Sequence, residues 1–183
     1  MRSSIRVLFL VLALAVTSAA FAQQTILFSV PDWGKLSSRD DGKAIATSFQ
    51  WGVSTPASAA TGQTGASAGK PGVQDSVLAF PIGDATIKFA QAAMRGLHLS
   101  SVLVEFPLTR GDQKGPAPFA IRLTEVSVTS VSLAKNGSDG GPGVAEVKLN
   151  AARVELFSSH QDPKGALQPG SKAGFDVRTG KVY

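Results

Sequence analysis

Two histidines, thirteen carboxylates and one glycine–lysine stretch are the groups in this 183-residue chain whose types invite a chemical reading. His98 and His160 have no cysteine to complete a nitrogen–sulfur metal centre, and they are too far apart for any recognised ligand spacing. Neither goes with a serine in a nucleophile-elbow context. His98 reads as a strand-start residue beside a turn at Gly96, and His160, before Gln161-Asp162-Pro163, reads as a loop residue. Two carboxylates facing each other across a barrel could act as acid and base. Nothing in the spacing selects a pair, however, and Glu105, Glu125, Glu146 and Glu155 fall where outward-facing strand residues are expected. The stretch Gly65-Ala66-Ser67-Ala68-Gly69-Lys70-Pro71 approaches a phosphate cradle. It is one residue short between its glycines, and Pro71 stands where a hydroxyl should meet magnesium, so nucleotide binding is rejected. Asn136-Gly137-Ser138 matches a glycosylation acceptor but reads first as a turn. No enzyme, metal or cofactor is expected.

The elements that would position such groups begin after an export leader. Arg2 and Arg6 precede an apolar run over residues 7–16, and Ala20-Phe21-Ala22 provides the small residues of a cleavage site. Cleavage is predicted after Ala22, giving a signal peptide at 1–22 and one domain at 23–183. The run is too short to span a bilayer, and no later stretch is longer, so no membrane insertion is expected after cleavage. Losing Arg2 and Arg6 takes the formal charge from +5 to +3, with Lys and Arg scattered, which argues against a nucleic-acid surface. With no cysteine, stability must come from core burial and strand pairing.

Strands are predicted over 25–30, 45–53, 99–110, 119–135, 144–159 and 173–179. In the second, Ile45, Thr47, Phe49, Trp51 and Val53 alternate with smaller residues, which predicts that they form the buried face. One helix is predicted over 84–95, capped by Asp84, with Ile87, Ala90 and Met94 on its packed side, Leu97 beyond, and Gly96 ending it. Turns are expected at Asp40-Asp41-Gly42, Gly111-Asp112, Asn136-Gly137 with Asp139-Gly140-Gly141-Pro142, and Asp162-Pro163-Lys164-Gly165. Within 119–135 the apolar phase shifts from Ile121 and Leu123 to Val126 and Val128, then to Val131 and Leu133. Such shifts imply bulges in a bending strand. The expected architecture is mainly β: a single β-barrel of two curled antiparallel sheets, with one short flanking helix and a long extended loop. That loop, residues 54–72, is built almost wholly from Gly, Ala, Ser and Thr, so it cannot bury enough apolar surface to order itself. It is either an idle flap or an arm that orders against another molecule.

The chain runs in order through Phe49-Gln50-Trp51-Gly52-Val53-Ser54, the small-residue loop ending in Gly69-Lys70, Val73-Gln74-Asp75 with Phe80, and the helix ending in Arg95-Gly96-Leu97-His98. It continues through 123–132, Glu146-Val147-Lys148-Leu149 and Gly174-Phe175-Asp176. In this order and spacing the pieces resemble the Hcp family, the tube protein of bacterial type VI secretion systems, over about 25–179. The resemblance implies a barrel whose copies close into homohexameric rings, rings that stack into a tube, and partners among effector proteins and the sheath and spike. It also implies that the long loop reaches neighbouring subunits, which makes Thr61, Gly62, Gly65, Gly69 and Lys70 candidate assembly residues. Tube subunits of this kind are made in the cytoplasm without a leader, whereas this chain carries one. An exported, periplasmic or secreted protein is therefore expected, with cytoplasmic synthesis and type VI secretion as the alternative. A different reading is a secreted β-sandwich that binds glycan or peptide, with Trp33 or Trp51 as its stacking platform. Trp51 fits better as core and Trp33 is the freer of the two. An exported hydrolase has only its unplaced carboxylates in its favour.

Overall fold

A computed structural model describes residues 25–55, 71–107, 117–135 and 140–183. The predicted leader, the predicted turns at Gly111-Asp112 and Asn136-Gly137, and the candidate assembly residues Thr61, Gly62, Gly65, Gly69 and Lys70 lie outside the described residues.

Three long antiparallel strands form the centre: β7 (His98–Phe106), β8 (Phe119–Ala134) and β9 (Val144–Gln161). β1 (Ile26–Ser29) pairs with β7, and β2 (Ala44–Ala46) pairs with β1. β9 is long enough to serve two partners on one flank. Its first part pairs with β6 (Ser76–Pro81) and its second with β10 (Leu167–Asp176). β3 (Ser48–Gln50) pairs with β6, and β11 (Lys181–Val182) with β10. These nine strands are one antiparallel sheet; β4 (Val53–Ser54) and β5 (Gly72–Val73) make a separate two-stranded ribbon. Mainly β structure with one helix is thus observed, but as one large sheet with a ribbon where two curled sheets were expected.

The predicted strand over 45–53 is divided. Thr47 leaves the ladder between β2 and β3, and its N–H donates to Ala79 O on β6, so the chain changes partner there. Its buried phase at the start is the reverse of the expected one: Ala44 and Ala46 are buried, whereas Ile45 is 45% exposed. Phe49 and Trp51 pack against the core from half-buried positions.

The phase shift predicted in β8 is real and extends across three strands. Burial passes from Leu123 to Val126 on β8, from Leu99 to Val102 on β7 and from Ala151 to Val154 on β9. At the same level Ser100, Glu125 and Ala152 drop out of the ladder, and Glu125 takes φ 53°, a left-handed conformation uncommon for a side-chain-bearing residue. A second irregularity falls between Val128 and Ser130. Each shift turns a new set of side chains inward, which lets long strands stay buried as the sheet bends.

Helix α1 (Asp84–Arg95) has the predicted bounds and ends at Gly96 in the left-handed conformation. Its N-cap is Gly83, whose N–H donates to Thr86 Oγ1 at 3.1 Å, while Asp84 sits in the first turn. The packed side is not the predicted one. Ala85, Thr86, Phe89 and Ala92 are buried, whereas Ile87 is 60% and Met94 85% exposed. Phe89 decides this, because its ring closes an aromatic cluster with Phe28 and Phe80, at centroid distances of 6.2 and 5.6 Å. A phenylalanine ring brings a large apolar surface and adds ring–ring contacts that isoleucine and methionine cannot make.

Candidate assembly surface

The stem of the long loop, where the described chain leaves and returns, is the β4–β5 ribbon. Val53 pairs with Val73 and Ser54 with Gly72, so residues 54–72 depart from a hydrogen-bonded base. Beneath it the inner face of the β9–β10–β11 wing is apolar, because Val154 and Leu156 on β9 and Ala173 and Phe175 on β10 alternate toward the ribbon. Together with Trp51, Val53, Pro71, Val73 and Val182 they enclose a groove of about 220 Å³. Trp51 Nε1 is buried with no acceptor in the described structure, a donor left over in an otherwise apolar wall.

The opposite face of the same wing is charged. Glu155 accepts an ion pair from Lys172 Nζ at 2.7 Å and from Arg122 Nη1 at 3.5 Å, and both cations stand over the Phe157 ring. Glu125, at the kink, receives Arg153 at 2.7 Å and Arg178 at 2.8 Å. The Lys172 ammonium, and after it Arg122, holds the Glu155 carboxyl below its ordinary value of 4.5. Backbone N–H groups hold Asp162 and Asp176 low at the turns that follow β9 and β10. Glu105 is paired with Lys43, and Glu146 is exposed. Of the four strand glutamates, Glu105, Glu125 and Glu155 are thus held in ion pairs and Glu146 is exposed.

The histidines are only partly as predicted. His98 opens β7 and its Nδ1 is hydrogen-bonded to Ser127 Oγ at 3.0 Å. His160, expected in a loop, lies within β9 opposite Gln168, because the strand runs to Gln161 before Asp162 turns it. Trp33 is not a free platform: its ring packs edge-on against Phe89 at 4.8 Å. Trp51 instead borders the groove. The groove was missed in the sequence although its signal was there, since Val154/Leu156 and Ala173/Phe175 each repeat with period two.

Over residues 37–157, more than half of its length, the chain matches the family described as Type VI secretion system effector, Hcp. The chain belongs to the Hcp family. Solved structures agree in fold. One described as a type six secretion system protein is 20% identical with a TM-score of 0.77, covering 87% of this chain and 99% of that one. Hcp1 from Salmonella typhimurium is 15% identical with a TM-score of 0.65, covering 88% and 99%. A type VI secretion system effector from Yersinia pestis is 17% identical with a TM-score of 0.61, covering 83% and 99%. No curated protein matches the sequence. In this Hcp chain the matched span includes the loop and its stem but ends before β10 and β11, so the outer wing of the groove lies beyond it.

The charged face of this Hcp chain has a pH consequence. Because the folded state holds Glu155 below 4.5, its ion pairs contribute stability above that pH and lose it as pH falls through the folded value. Glu155→Gln is expected to flatten the acid limb of an unfolding-midpoint series below pH 4.5. The effect at neutral pH should be at most about 1 kcal/mol, since both cations are half exposed. An acid limb unchanged by the substitution would place the titration elsewhere.

Proposed function

We propose that this Hcp-family chain is a non-catalytic subunit whose copies close into six-membered rings that stack into a tube able to carry effector proteins, with sheath and spike as further partners. The observation that carries the reading is the apolar groove under the loop stem, which is suited to burying protein and offers no reacting group. The family adds type VI secretion as the setting. We also read the sheet as a barrel. Pairing can be followed from β1 to β2, across Thr47 to β3, then through β6, β9, β8 and β7 back to β1, so one residue separates an open sheet from a closed one. The loop, with Thr61, Gly62, Gly65, Gly69 and Lys70, is taken as the arm that orders against a neighbouring ring, its small residues allowing close backbone approach. Residues 1–22 are read as a leader cleaved after Ala22, which sends this ring-former to the periplasm or beyond.

The test is the mass of residues 23–183 in solution, with images of the particles. Six-fold mass and annular particles are expected, and a single subunit at every concentration would overturn the reading. Deleting residues 58–68 should leave ring mass unchanged while weakening stacking at least about tenfold, the equivalent of about 1.4 kcal/mol. A second reading, a binding module, is favoured by Trp51, which borders the groove and whose buried Nε1 has no acceptor among the described residues. A monomer that binds glycan or peptide, and loses it on Trp51→Ala, would support that reading. An uncut chain retained in the host cytoplasm would contradict the export route.

A further inference from the structure

β10 is an outer strand, and its two halves are protected differently. Its first half carries Pro169, which has no N–H to offer, and its register against β9 is broken between Pro169 and Lys172. Both are recognised ways of making an edge unfit for pairing. Its second half, from Lys172 to Asp176, pairs with β9 without interruption and carries Ala173 and Phe175 on the groove side. That half would be a flat template for another strand if it were bare.

It is covered by residues 180–183. Asp176 Oδ1 accepts from the N–H groups of Arg178 and Thr179, at 3.0 and 2.9 Å, and Gly180 N–H donates to Asp176 O at 2.8 Å, turning the chain back. β11 then lies along β10, with Lys181 opposite Asp176 and Val182 opposite Phe175. Gly174 and Tyr183 exchange both backbone hydrogen bonds, at 2.7 and 2.9 Å. The Tyr183 ring lies directly over Gly174, where a Cβ would come within 2.4 Å of it. Only glycine admits this contact. Yet Tyr183 is 54% and Val182 76% exposed, so the hook adds little to the core and its main contacts are with the strand edge.

We propose that residues 180–183 are an edge guard: they occupy the pairing edge of β10 and prevent it from accepting a strand of a second copy of this chain. The need is general to any sheet with a flat outer strand, and on the ring reading proposed above it is greater, because copies then meet at high local concentration. An open edge with unpaired N–H and C=O groups recruits strands without regard to the intended contact. By the alternation of the antiparallel ladder, the N–H of residue 172 faces the same edge as that of Gly174 and is the next donor a foreign strand would meet.

Tyr183→Pro removes both the ring and the N–H that binds Gly174 O without altering β10, and Gly174→Val displaces the ring from the other side. In protein purified from cells expressing the full-length chain, each is expected to produce species at least twice as heavy as any in the wild type, growing with concentration, in sedimentation velocity. The comparison is with the wild-type assembly whatever its size, so it does not depend on ring formation. Adding Lys172→Pro to Tyr183→Pro removes the Lys172 edge donor while leaving the backbone bonds to β9, and should restore the wild-type distribution; Glu155→Gln added to Tyr183→Pro, which loses the Lys172 ion pair but keeps that donor, should not. A Tyr183→Pro variant of unchanged mass overturns the proposal. So does heavy material that survives Lys172→Pro, which would assign the association to the opened groove.

Discussion

Phe89→Ala is expected to lower the stability of the protein by about 3–5 kcal/mol, while Met94→Ala, little more than one turn away on the same helix, changes it by less than about 0.5 kcal/mol. Phe89 is fully buried and its ring meets Phe28, Phe80 and Trp33, so truncation removes contacts from three elements and leaves a void between helix and sheet. Met94 is 85% exposed and has little to lose. Against a typical domain stability of roughly 5–15 kcal/mol, the loss at Phe89 is a large fraction of the whole. Denaturant unfolding followed by far-ultraviolet circular dichroism measures both. Tryptophan fluorescence gives a second probe, because Trp33 packs edge-on against the ring that is removed. Equal effects at the two positions would mean that the helix packs by its other stripe.

The second large effect is at a glycine. Residues 140–143 read Gly-Gly-Pro-Gly, and the three glycines look alike in the sequence. A Cβ at Gly140 or Gly141 would meet nothing within 4 Å. At Gly143, φ is +81° and a Cβ would come to 3.0 Å from both Ala134 O and Ile82 Cδ1. Gly143 O also accepts from Ile82 N–H at 3.2 Å, which ties the start of β9 to the chain entering α1. Gly143→Val therefore combines a backbone conformation costly to a β-branched residue with crowding against main chain, roughly 2–5 kcal/mol together. Gly140→Ala and Gly141→Ala are expected to be neutral within about 0.5 kcal/mol. Thermal unfolding of the three variants side by side tests this, and a Gly143→Val protein as stable as the two controls would show that the turn can move aside.

The glycine comparison illustrates how far the sequence could be read. It placed turns correctly at Asp40-Asp41-Gly42 and at Asp162-Pro163-Lys164-Gly165, because local backbone geometry selects the residue types found there. It could not say which glycine another strand approaches. The same division runs through the candidate site. The break between strands was legible in residues 54–72, built almost wholly from small residues and proline, but the pairing of Val53–Ser54 with Gly72–Val73 at its base was not predicted. The groove beneath it is assembled from the chain on both sides of the loop and from β9, β10 and β11, so the short period-two pairs Val154/Leu156 and Ala173/Phe175 could not show by themselves what they face.

The sequence by itself determined the mainly β class, the helix over 84–95, the phase slips in β8 and, through the order of its pieces, the Hcp family. All of these depend on short-range patterns: period two, period 3.6, caps and turns. Tertiary structure alone decided which face of α1 is buried, where the strand over 45–53 changes partner at Thr47, and that residues 180–183 turn back over Gly174. Those outcomes are set by competition between surfaces far apart in the chain. Phe89 outbids Ile87 and Met94 only because Phe28 and Phe80 arrive to meet it, and no local pattern records which partner will be there.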